Sequence, residues 1–97
     1  MIAKVDPLTA ARAEALFTSH LSTSSRPTAA AVADAIRAAV RAHGGTRGCA
    51  ADVATAYGDH PEIAAPRMRW ARGVVDEIYG VRQAVVTPDQ RSCALVA

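Results

Sequence analysis

The chain has few cysteines and aromatics, a single lysine, and no long apolar run. Cys49 and Cys93 are the only cysteines and lie 44 positions apart. That spacing suits neither a disulfide framework nor a zinc module, and Cys49 reads as a small buried hydrophobe. Four residues follow Cys93 to the end, one too many for a prenylation box. No apolar run approaches the roughly 20 residues that span a bilayer, and Met1 to Pro7 lacks the apolar core of a signal peptide, so a cytoplasmic protein is expected. Neither charge dominates: 11 Lys and Arg face 9 Asp and Glu, for a net +2. That balance is too mild to imply nucleic acid unless the basic groups cluster.

What is present is alanine, 23 in 97 residues, against 24 large apolar side chains. One small domain with a thin core follows, stabilised by close helix packing over alanine faces, with homodimerisation as a further source of burial. Ten of the eleven basic residues are arginine. With the alanine excess, this reads as the coding bias of a GC-rich bacterial genome.

The periodicity predicts an all-α fold of four helices. Asp6 and Pro7 form an N-cap and first helical position, opening a helix to about Leu21 with Leu16, Phe17 and His20 on one face. Ser22 to Pro27 is a polar loop. Thr28 caps a second helix with Val32, Ile36, Ala39, Val40 and His43 on its apolar side, Asp34, Arg37 and Arg41 opposite, and an end at Gly44-Gly45. After a glycine-rich loop to Gly48, a short third helix spans Cys49 to Tyr57, its stripe formed by Cys49, Val53, Ala56 and Tyr57, with Gly58 as a left-handed stop. Asp59 and Glu62 have capping-box spacing for a fourth helix reaching Gly80. Its apolar face carries Ile63, Ala64, Met68, Ala71, Val74 and Val75, and Pro66 predicts a kink or restart. Residues 1–80 thus form one helical domain. Residues 81–97 lose the helical period and read either as a short hairpin around Pro88-Asp89 or as a frayed tail.

Val53 to Ala64 is a helix, a glycine turn and a capped helix, with Ala54 four residues before Gly58, which is the spacing of a helix-turn-helix. Pro66-Arg67-Met68-Arg69-Trp70-Ala71-Arg72 resembles the second helix of the promoter-reading helix-turn-helix of bacterial sigma factors, with Arg67, Met68, Ala71 and Arg72 matching over a region of about Cys49 to Tyr79. Asp59, Ala64 and Pro66 depart from that pattern. The resemblance implies a small transcription-related protein that binds duplex DNA, with Arg69 and Arg72 meeting phosphates or bases and His60 and Ala65 near the same surface. Arg47 would join them if the positive patch is continuous. Arg67 falls in the apolar stripe and is expected to pair with a carboxylate or to keep its head in water.

The competing class is a protein-interaction or self-associating module, marked by exposed apolar surface around Phe17 or Trp70. His43, Cys49 and His60 have no regular metal-ligand spacing, Ser24 and Ser25 lack a nucleophile motif, and the carboxylates are dispersed. No enzyme, metal or cofactor is expected.

Overall fold

A computed structural model describes residues 6–80, and residues 81–97, where a hairpin or tail was predicted, lie outside it. The described chain is all-α: α1 (Pro7–Phe17), α2 (Ala29–Ala42), α3 (Thr46–Asp59) and α4 (Pro61–Val75), closed by a wider π-type turn over Asp76–Gly80.

Local signals start α1 and α2. Asp6 accepts the Thr9 backbone N–H at 2.8 Å and the Thr9 hydroxyl at 3.0 Å, and these bonds hold its carboxyl below the usual carboxylate range. The Thr28 hydroxyl accepts from Ala31 N at 3.1 Å. α1 ends four residues before Leu21, where Thr18 Oγ1 and Ser19 Oγ donate back to the carbonyls of Ala15 and Leu16. Such short hydroxyls compete with the helical ladder, and His20, beyond the stop, is exposed instead of facing the core. α2 ends as predicted. Gly44 takes φ +76°, and Gly45 N donates to Val40 O at 2.7 Å, the six-to-one bond of a Schellman motif.

α3 is longer than its apolar stripe suggested, starting at Thr46 and running through Gly58 to Asp59. Gly48 therefore belongs to its first turn, and a Cβ there would sit 1.6 Å from the His43 carbonyl oxygen, so glycine lets α3 press against the end of α2. Gly58 is an ordinary helical residue facing open space, not a left-handed stop. Pro61 ends α3 instead, because it offers no N–H to Tyr57 O and drives His60 into an extended conformation, φ −143° and ψ 72°. Asp59 is thus the last residue of α3 and not the cap of α4; His60 holds that position without a side-chain cap bond. α4 continues through Pro66 without restarting, and Pro66 is exposed, where the freed Glu62 carbonyl can reach water.

The central element is α1, which packs against α2, α3 and α4. Leu16 and Phe17 of α1 meet Val32 and Ala35 of α2, Val53 of α3, and Ala64, Met68, Ala71, Val74 and Val75 of α4 in the main core. Ala15, Ala39 and Cys49 close a smaller contact among the first three helices. Cys49 is fully buried, as read from the sequence. The π-type turn is tied back by the Arg12 guanidinium, 3.9 Å above the Tyr79 ring.

Candidate functional site

A single residue, His60, joins α3 to α4, so the two helices meet in a tight elbow whose inner side rests on the end of α1. Arg67 fixes this arrangement. Its Nε donates to Phe17 O at 2.6 Å, Nη2 to Ser19 O at 2.9 Å and Nη1 to Thr23 Oγ1 at 2.8 Å. The guanidinium also lies 5.0 Å from the Trp70 ring and 5.8 Å from Phe17. Neither predicted arrangement of Arg67 holds: the carbonyls left open at the end of α1 take its donors, in place of a carboxylate or bulk water. A cation is favoured there by the negative end of the helix dipole. Burial pulls its pKa below the ordinary arginine value, and the fork remains charged.

Trp70 lies one turn away, half-buried, and its Nε1–H donates to Ser25 O at 2.9 Å. α4 thus holds both ends of the α1–α2 connection, and the polar handle of Trp70 is already occupied within the chain.

The residues expected to form an exposed apolar patch exchange places with their neighbours. Phe17 is buried. Tyr57 stacks on it, with ring centroids 6.4 Å apart and planes at 20°, and is 39% exposed. Ile63, expected on the buried face of α4, is 62% exposed in its first turn. Phe17, Ala56, Ile63, Ala64 and the Arg67 stem line a largely apolar cleft of about 240 Å³, with Asp59 and His60 on its rim. His60 Nδ1 lies 3.6 Å from a Glu62 carboxylate oxygen, and Asp59, His60 and Glu62 are all exposed.

Arg69 and Arg72 are both exposed on α4, three residues apart, with Ala65 half-buried one turn before Arg69. Arg72 shares a second cleft, also about 240 Å³, with Glu14 and Asp76 above a floor of Ala10, Ala13 and Met68. Its charge therefore lies among carboxylates. Arg47 is exposed in the first turn of α3, about 20 Å along that helix from His60. Over the described residues eight arginines face eight carboxylates. Arg47 thus lies on α3, and Arg69 and Arg72 lie on α4.

Among the described residues no three His, Cys, Asp or Glu side chains gather as a metal site, and no helix is long and apolar enough to cross a membrane. His43 Nδ1 lies 3.5 Å from an Asp52 carboxylate oxygen, and Cys49 is fully buried. No family model, curated protein or solved structure matches the chain.

Sequence reasoning named His60 but missed Tyr57 and Ile63 as surface residues. The signal was Pro61. A proline three residues after Gly58 sets the end of α3 and leaves one residue for the junction, which turns the first turn of α4 outward beyond α1.

Proposed function

We propose that this protein is a small helical protein-interaction module that takes an apolar segment of a partner into the elbow between α3 and α4. The observation that carries this reading is the pairing of the cleft with Ile63, 62% exposed on its edge. A β-branched side chain left in water beside an apolar hollow gives a partner both a contact and a recess, the arrangement of an interface anchor. Site-specific photo-crosslinking tests it. A benzophenone amino acid at position 57 or 63, in cells that make the protein, should yield adducts of discrete mass, whereas one at position 37 on the outer face of α2 should not. Adducts at twice the chain mass would identify self-association. The absence of discrete adducts at both elbow positions refutes the reading.

A DNA-binding role, the function implied by the sigma-factor resemblance, is the second reading. It is favoured by Arg69 and Arg72, exposed on the second helix of the pair and in no ion pair among the described residues. A duplex gel shift that weakens steeply with salt and is lost in the Arg69→Ala/Arg72→Ala variant would support it. No shift of any duplex at low salt removes it. The resemblance depended on a glycine turn at Gly58, and Gly58 lies inside α3.

A further inference from the structure

The identity of the partner can be read from the same cleft, an inference that rests on the interaction reading above. We infer that the occupant of the elbow is a second copy of this chain, paired about a two-fold axis so that Ile63 of each copy seats in the cleft of the other.

The shape is self-complementary. Ile63 lines the cleft and is also 62% exposed at its edge, so a projecting side chain and a hollow lie on one face of one chain. A closed two-fold pair needs that arrangement, because each copy must present the same patch that it binds. Size agrees. A dry apolar cavity of roughly 150 Å³ already takes a benzene-sized group, and about 240 Å³ is open here, enough for an isoleucine side chain. Tyr57, stacked on Phe17, adds a second apolar contact. Two of the three large hydrophobics left exposed among the described residues thus stand at the elbow, and the third, Leu8, lies in the first turn of α1, away from it. With 24 large apolar side chains in 97 residues the chain has little interior to offer them, and a second copy supplies the missing cover.

The charges agree as well. The cleft lining carries one carboxylate, Asp59, and one guanidinium, Arg67, so no net sign selects an acidic or a basic partner. Glu62 stands outside that lining, with the His60 imidazole 3.6 Å away. What the elbow presents is two opposite partial charges side by side, the carbonyl end of α3 and the amide start of α4, separated by His60 alone. A copy turned about an axis running between those ends sets the α3 end of each chain against the α4 start of the other. Opposite partial charges then meet at both places.

The test is sedimentation equilibrium of the purified full chain from about 1 µM to 1 mM, a range chosen because an interface this small pairs weakly. The mass should rise from one chain to two. Ile63→Asp should weaken pairing about a hundredfold, since each pair loses two seatings at about tenfold apiece. Ala56→Leu, which fills the hollow, should act in the same direction, whereas Leu8→Ser should leave pairing unchanged. Circular dichroism melts establish that each variant folds. An equimolar mixture of Ile63→Asp and Ala56→Leu is the decisive sample. The mixed pair keeps one intact seating, Ile63 of the second variant in the open hollow of the first, so it should form about tenfold more tightly than a pair of either variant alone. A mass of one chain at every concentration, pairing that Ile63→Asp leaves unchanged, or a mixture no tighter than its parts overturns the inference. If the chain stays single while crosslinked adducts of other masses form at 57 and 63, this inference alone is lost. If discrete adducts are absent at both positions, the interaction reading falls with it.

Discussion

Replacing Arg67 should unfasten α4 from the end of α1. A hydrogen bond to a charged group contributes about 1.5 to 3 kcal/mol. Arg67 makes three, of which the Thr23 hydroxyl is exposed and replaceable by water, while those to Phe17 O and Ser19 O are partly buried. One guanidinium makes all of them, so they do not add fully, and about 3 kcal/mol is a reasonable loss for Arg67→Ala. For a domain of this size that is a fall in Tm of roughly 15 °C. Arg67→Met separates the parts, because it keeps an apolar stem against Phe17 and removes every donor; most of the loss should remain, about 2 kcal/mol. Arg67→Lys keeps the charge but lacks the planar fork, and should fall between Arg67→Met and the parent. Thermal melts followed by circular dichroism at 222 nm, with urea titrations for free energies, measure the series. If Arg67→Met melts with the parent, the carbonyl bonds contribute nothing, and Arg67 is a packing residue only.

Three further outcomes follow from the same structure. Gly48→Ala should be strongly destabilising, by about 3 kcal/mol, because its Cβ would overlap the His43 carbonyl oxygen, whereas Gly58→Ala, helical and facing open space, should stabilise by about 0.5 to 1 kcal/mol; a pair of thermal melts decides both. Val53→Asp buries a carboxylate without a partner in the main core and should cost about 3 kcal/mol or more, so a Tm near that of the parent would refute the assigned face of α3. The lowered pKa of Asp6 makes its capping contribution fully present above the ordinary aspartate value of 3.8 and lost as pH falls through the lower folded value. Urea titrations between pH 5 and about 2 should show an acid-dependent loss that is smaller in Asp6→Asn.

Signals confined to a few neighbouring residues were legible in the sequence. Asp6-Pro7, Thr28 and the Gly44-Gly45 pair start or stop helices by bonds within one turn, and each acts where it was read. Gly58 and Gly48 were misread because glycine has two uses, and only tertiary packing selects between them. Gly48 is needed for the approach of α3 to His43, which no local pattern encodes. Tyr57 and Ile63 were placed on the wrong sides for a related reason. A helical wheel ranks residues around one axis, but where α1 ends against the elbow determines which of them is covered. Arg67 looked misplaced on an apolar stripe because its partners, two main-chain carbonyls and the Thr23 hydroxyl, lie 44 to 50 residues earlier.

That separation bears on how the chain acquires its shape during synthesis. The carbonyls closing α1 receive their donors only after the segment around residue 67 has been made, and at roughly 5 to 20 residues per second some 50 residues take about 3 to 10 s. Until then α1 and α2 have a joint whose fastening has not emerged, and each is short enough to be marginal as an isolated helix in water. Folding is therefore expected to await the whole domain. A ribosome-bound chain ending before α4 should be open to proteolysis at Thr18 to Thr28, and one extended past Trp70 and released from the exit tunnel should resist it.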